Sequence, residues 1–253
     1  MRMQAWRPPY PEFVDKAAEQ LHVKQRLAAA LRLFARAGLD EGVAGHFTAR
    51  DPVRPDHFWC NSYGIHFGRA KVSNLSLISS TGEIVQGMGI NIAAYAIHAP
   101  IHAARSEVHA VAHAHGVHGK AWSCLGRLLD PLSQDACAFY QDHGLYEGFD
   151  TVILDTDEGQ PLVPALGNKK ALILRNHGNL TVGTTVDEAA WWYLAMERCC
   201  QAQLLAEAAG DPIPVPHQAA EYAREQGGSH YAGWIGFQPL YDLIVHEQPD
   251  LLE

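Results

Sequence analysis

The sequence predicts one α/β domain spanning residues 1–253. Three observations carry that reading. The 253 residues are 47% hydrophobic and 19% charged, a globular balance with enough chain for a large core. Strand-like and helix-like segments interleave along the chain. No linker, fixed-period repeat or low-complexity tract divides them.

Residues 14–38 read as a helix, because Leu27, Leu31 and Phe34 share a face and Gly38 stands where a C-cap glycine belongs. Gly42 and Gly45 allow a tight path into a strand over residues 46–50. Residues 56–67 (DHFWCNSYGIHF) read as a strand, a turn at Asn61-Ser62-Tyr63-Gly64 and further extended chain. A hairpin follows, joining 76–78 to 83–85. Residues 91–104 (NIAAYAIHAPIHAA) have helical spacing, and Pro100 should kink that helix. Residues 108–115 alternate as a strand, and 140–146 read as irregular. Strands at 152–154 and 171–174 flank a short helix at 161–166. Residues 186–210 form the longest helix, with acids near its start that suit the helix dipole. The core thus spans residues 20–210. The tail, 211–253, is rich in Pro, Gly, His and aromatics and is expected to pack irregularly on the core or on a neighbouring subunit.

The net charge of -9, without basic clusters, argues against nucleic acid or an anionic membrane surface as partner. No apolar run is long enough to cross a bilayer, and the N-terminus lacks the apolar stretch of a signal peptide. A cytoplasmic protein with reduced cysteines is expected. Cys199 and Cys200, adjacent in a helix, point different ways and read as packing residues.

Fifteen histidines stand out in this composition. In VAHAHGVHGK (residues 111–120), His113 and His115 are two apart on a predicted strand, so their side chains share a face. Two neutral imidazoles at that spacing suit one divalent metal, with a third ligand from elsewhere and a position left open. His177, between the strand at 171–174 and Gly178, is the candidate for that third place. His118 lies past the strand and reads as a structural partner. His98 and His102 sit i, i+4, but Pro100 between them argues against a second metal face.

Four segments resemble the class II aldolase/adducin family. They are GVAGHFTARD (residues 42–51), SYGIHF (62–67), VHAVAHAHGVHG (108–119) and ALILRNHGNLTVGTTVDEAAWW (171–192). The resemblance implies a three-layer α/β/α sandwich around a largely antiparallel sheet. It implies a divalent metal ion held by His113, His115 and His177: Zn2+ first, with Fe2+ or Mn2+ as alternatives. It also implies a homotetramer with sites near subunit interfaces. A branch containing non-haem iron oxygenases and decarboxylases is similar to segments such as DHFWCNSYGIHF and EAAWWYLAMERCCQAQLLAEA (residues 188–208).

The departures from the family are informative. Its sugar-phosphate aldolases carry a general acid/base carboxylate one helix before the H-x-H. The matching stretch here, GMGINIAAYAIH (residues 87–98), has no Asp or Glu, and the position falls at Ala94 or Asn91. The serine pair that holds phosphate is also missing. A small, non-phosphorylated carboxylic acid, aromatic in part, therefore becomes the expected substrate. Asn91 is read either as a substrate hydrogen-bonding residue or as the cap of its helix. His98 is read as a proton shuttle or a packed residue, and Tyr140 as a proton donor. His46, Tyr63, Gly64 and Asp135 are candidate pocket residues, and Lys120 reads as solvated. Three functions remain open. They are a metal-dependent lyase cleaving a C–C bond of a hydroxy- or oxo-carboxylate, an Fe(II)- and O₂-dependent oxidative decarboxylase, and a non-catalytic adducin-like module.

Overall fold

The molecule is a computed structural model that describes residues 7–148 and 155–253. Its first helix, α1 (Lys16–Arg36), begins where the Asp15 carboxylate accepts the amide of Ala18 at 2.8 Å. The run Leu27–Phe34 is buried all round, enclosed by the sheet, the 3-10 turns and later helices. Eight strands follow among the described residues: β1 (His46–Arg50), β2 (Phe58–Asn61), β3 (Leu75–Ile78), β4 (Ile84–Gln86), β5 (Ala110–Ala114), β6 (His143–Tyr146), β7 (Ala171–Leu174) and β8 (Gly178–Gly183). They form one sheet in the order β4-β3-β2-β1-β5-β8-β7-β6. Every pairing is antiparallel except β6 with β7.

Alternation along the central strands sorts the layers. Ala110, Ala112 and Ala114 of β5 and Phe47 of β1 face α1 and the long helix α7 (Val186–Ala209), packing with Phe34 and Tyr193. The small alanines let α7 come close: the Tyr193 hydroxyl donates to the carbonyl of Ala114. Val111, Leu180 and Val182 face the other way, onto α2 (Ile92–Ala104) and α6 (Leu162–Leu166). The three-layer architecture expected of the chain is therefore present. Three short helices complete the loops: α3 (Val117–Ser123), α4 (Gln134–Cys137) and α5 (Thr156–Gly159).

Helix α2 runs through Pro100 without a break. The proline leaves the Ala96 carbonyl without its helical donor. Gly159 of α5 approaches that carbonyl so closely that a side chain there would have no room.

Four expectations are corrected. Residues 143–146 are not irregular but form the parallel edge strand β6. Gly144 there lies against the carbonyl of Ala165 and leaves no room for a Cβ. The chain after Gly64 is not extended; it winds into two short 3-10 turns, Phe67–Arg69 and Val72–Asn74. The tail is not irregular either: it builds α8 (His217–Gly227) and α9 (His230–Glu247). Glycine acts there as a docking point, since a Cβ on Gly233 or Gly236 would stand 2.8 or 2.6 Å from Trp192 or Trp191. Phe237 and Ile244 of α9 join the core beside α1. The strand expected at 108–115 is trimmed to Ala110–Ala114, which leaves His115 just past its end. The strand expected at 152–154 lies outside the described residues.

Candidate metal centre

His113 sits on β5 in register with His46 of β1 and Leu180 of β8, on the α2 side of the sheet. His115 follows one residue beyond the strand. His177 comes from the tight connection between β7 and β8, where Leu174 pairs with Gly178. That turn needs a left-handed residue, and Asn176 supplies it with φ 59°. Three neighbouring strand ends thus converge. The ligand-type atoms of His113, His115 and His177 all lie within 4.8 Å of one another. Their ring centroids are 4.9–5.1 Å apart and their planes cross at 75–84°, a fan around one point.

The protonation pattern follows from the partners. His113 Nδ1 donates to the main-chain carbonyl of Asn179 at 2.8 Å, so its Nε2 carries the lone pair. That Nε2 is buried and has no hydrogen-bond partner among the described residues. Burial, with the neighbouring imidazoles, holds His113 well below the ordinary histidine value. Burial also lowers His177, to about 4, and His115. An unpaired buried nitrogen costs on the order of 1–3 kcal/mol. Three neutral, convergent imidazoles, one of them otherwise orphaned, fit a divalent cation.

The rim carries charges. Lys120 is not simply solvated: its Nζ binds Oε1 of Glu41, whose Oε2 lies 3.9 Å from His115 Nδ1. Glu41 is held below its usual carboxylate range, chiefly by the Lys120 hydrogen bond. Sequence reasoning missed it, because nothing in a loop between α1 and β1 signals that it returns to the H-x-H. Behind the rim, His118 is fixed to Glu197 of α7, which also accepts the amides of His118 and Gly119 at 2.8 Å each. Gly116 and Gly119 are glycines because a Cβ at either would collide with that carboxylate.

The wall beside the triad is a second histidine cluster. His46 Nδ1 meets His98 Nε2 at 2.8 Å, and Thr48 Oγ1 lies 2.8 Å from His98 Nδ1 and 2.9 Å from His102 Nε2. His102 Nδ1 ends the chain on the Val108 carbonyl at 3.2 Å. The rings of His46 and His113 are 4.9 Å apart. His98 is fully buried, with both ring nitrogens bonded, to His46 and to Thr48.

The other anticipated residues are more scattered. Asn91 caps α2, its Oδ1 accepting from Ala93 at 3.0 Å and its Nδ2 reaching the Val43 carbonyl. Ala94 is buried in the core, so the position of the family carboxylate holds no titrating group. Tyr63 is 53% exposed, and Gly64, at φ 80°, turns the chain toward a cleft lined by Arg32, Arg69 and Asp250. Asp135 opens α4, and Tyr140 follows it and bonds His217 of α8 at 3.0 Å. Lys170, just before β7, reaches Ala138, whereas His177 follows the far end of that strand. Within one chain, then, the structure does not bring Tyr140 and Asp135 to the triad.

A three-layer sandwich with convergent imidazoles at its strand ends defines a class, the α/β/α folds whose histidines could hold a metal ion. The chain belongs to the Class II Aldolase and Adducin N-terminal domain family, whose model matches residues 25–204. It is 42% identical over 244 residues to decarboxylase NovR of Streptomyces niveus, covering 95% of this chain and 90% of that one. It is equally identical, over 95% and 88% of the two chains, to 4-hydroxy-3-prenylphenylpyruvate oxygenase/4-hydroxy-3-prenylbenzoate synthase of Streptomyces roseochromogenus subsp. oscitans. Among solved structures it superposes on an L-fuculose 1-phosphate aldolase from Glaciozyma antarctica PI12 with a TM-score of 0.91, at 40% identity and 97% coverage of both chains. No helix among the described residues is long and apolar enough to cross a membrane.

Proposed function

We propose that this protein is a metal-dependent lyase that cleaves a C–C bond, by decarboxylation or aldol cleavage, in a small non-phosphorylated hydroxy- or oxo-carboxylic acid with an aromatic part. The single observation that carries the reading is the fan of neutral His113, His115 and His177 around the orphaned Nε2 of His113. These residues would hold Zn2+, Fe2+ or Mn2+, with zinc first by its liking for neutral imidazole. When bound, the cation supplies positive charge that stabilises the electron pair left by C–C cleavage. The chain's own residues do the rest. Lys120 offers its ammonium to the substrate carboxylate at the rim, and Glu41, between Lys120 and His115, is the carboxylate nearest to hand for a proton. Loss of the acid on α2 and of the serine pair supports an unphosphorylated substrate. The solved relative bears a sugar-phosphate name, so phosphate is the comparison to run.

A second reading is an oxidative decarboxylase using Fe2+ and O₂. It is favoured by the near full-length similarity to a protein named as an oxygenase. One experiment separates the two. Protein purified without chelators is assayed for metals, then for CO₂ release and oxygen uptake with phenylpyruvate, phenyllactate and a sugar 1-phosphate. Zinc or manganese with cleavage and no oxygen uptake sustains the lyase. Iron with substrate-dependent uptake replaces it with the oxygenase, and turnover unaffected by metal removal sinks both. Turnover of the sugar phosphate alone would refute the substrate class.

We also propose a homotetramer with the site completed at an interface. The rim is flanked by exposed apolar side chains: Val43, Tyr63, Met88 and Ile92, on segments tied together by the Tyr63–Gly89 and Asn91–Val43 hydrogen bonds. Light scattering that returned a monomer at micromolar concentration would contradict this.

A further inference from the structure

The second histidine cluster has a direction. Its last link is a ring nitrogen against a carbonyl: His102 Nδ1 and Val108 O, 3.2 Å apart. The Arg50 guanidinium, which only donates, lies farther from that nitrogen, at 3.5 Å, and gives its shorter bond to the His102 carbonyl at 2.7 Å. A carbonyl only accepts, so the nearer partner puts the proton on His102 Nδ1 and a lone pair on His102 Nε2. Thr48 Oγ1, 2.9 Å away, must give its single hydrogen to that lone pair. The same oxygen can then only accept from His98 Nδ1 at 2.8 Å, which puts the His98 lone pair on Nε2. His46 Nδ1, 2.8 Å from that Nε2, must therefore be the donor. Each link is decided by the one before it, so the direction of the whole chain is set by the bond of His102 to the Val108 carbonyl. The chain ends on His46 Nε2, a bare nitrogen. Among the described residues no hydrogen bond engages that atom, and its ring, 3% exposed, stands 4.9 Å from that of His113. His46 shares the face of His113 and stands in register with it, but lies outside the cluster of three.

We propose that the His46–His98–Thr48–His102 chain is a one-way hydrogen-bond wire that fixes His46 Nε2 as an acceptor-only atom beside the triad, and that this atom selects a substrate carrying a hydroxyl donor. The proposal rests on the reading of the triad as the metal centre and narrows its substrate class. An acceptor there takes a hydrogen bond from the O–H of a 2-hydroxy acid or of an enolised 2-oxo acid. It repels the lone pairs of a carboxylate, a phosphate or an ether oxygen. The wire also accounts for Thr48, a fully buried hydroxyl on a central strand that packing alone would fill with valine. Thr48 and His98 are positioning residues, acting through His46.

The test begins with long-range ¹H–¹⁵N NMR of histidine-labelled, metal-free protein, which reads the protonated nitrogen of each ring. All three rings, His46, His98 and His102, should carry the proton on Nδ1. A proton on Nε2 of His46 overturns the wire. Thr48→Val, which keeps shape and removes the hydroxyl, should release the Nδ1 assignment of His98 and His46, and Thr48→Ser should restore it; an unchanged spectrum in Thr48→Val also overturns it. The second arm uses zinc-loaded protein and two probes, phenyllactate and its O-methyl ether. Phenyllactate should bind about three- to tenfold more tightly, the range of one net hydrogen bond, and Thr48→Val should shrink the advantage. Equal binding, or binding of neither, refutes the hydroxyl selection. A failure to take up zinc sinks the metal reading alone, because the tautomers are read without metal.

Discussion

Two groups of three histidines lie side by side in this molecule and have opposite fates. In His46, His98 and His102 every ring nitrogen but one is paired within the protein. In His113, His115 and His177 the one firm hydrogen bond is made by His113 Nδ1 to a backbone carbonyl, and the inward nitrogens face each other, with His115 and His177 Nε2 3.2 Å apart. Spacing does not distinguish them: i, i+2 on a strand and i, i+4 on a helix are both respectable ligand patterns. Satisfaction does. A hydrogen-bonded imidazole is occupied, whereas neutral imidazoles whose inward nitrogens converge form the set that could hold an ion.

The largest effect expected from breaking that contrast is on metal content. His113→Ala should reduce bound metal from near one per chain to near zero, whereas His98→Ala, outside the triad, should lower affinity by no more than about 100-fold; elemental analysis and a competitive chelator titration measure both. Stability should show the reverse order. In metal-free protein His98→Ala removes a buried ring and strands the His46 Nδ1 donor, costing about 2–4 kcal/mol. His115→Ala, part-exposed and past its strand, should stay within about 0.5 kcal/mol in urea unfolding. Equal costs would mean that the two clusters are not as different as their partners imply.

Acid sharpens the comparison further. The folded rings are depressed below 6.5, with His177 at about 4 and His102 at about 3, burial being the main cause in each. The unfolded chain therefore takes up protons first as pH falls. The stability these neutral rings support is complete above about pH 6.5 and drains away as the pH drops toward 4 and then 3. Several rings act together, so the urea-derived stability of metal-free protein should fall with a slope above one proton per pH unit between pH 6.5 and 5; a flat profile would contradict the burial pattern. The smallest effect belongs to the rim. Lys120→Met should leave stability within about 0.5 kcal/mol, as an exposed ion pair contributes little, while weakening phenyllactate binding about tenfold. Unchanged binding would remove Lys120 from the site.

How much of this was legible in the sequence depends on how local the signal is. The period of two put His113 and His115 together, and Gly178 after the strand at 171–174 marked the turn that presents His177. The helices around Leu27 and Trp192 followed from spacing and caps. The wire was not legible, because His46 meets His98 only through the register of β1 against β5 and the placement of α2. Glu41 was hidden for the same reason. The tail misled because Gly233, Gly236 and Pro239 read as breakers, whereas tryptophans packed into the glycine gaps make α9 a helix. Tyr140 and Asp135 were placed near the site by family likeness, and in one chain they lie toward the end of β7 away from His177.

The partner that orients His113 is the main-chain carbonyl of residue 179, and this changes how the site drifts over generations. A ligand steered by a carboxylate can be disabled by one codon change at that carboxylate. Here no codon at position 179 encodes the steering oxygen, since every amino acid brings the same one. The aim of His113 is inherited with the pairing of β5 on β8, and a mutation can misdirect it only by slipping one strand along the other.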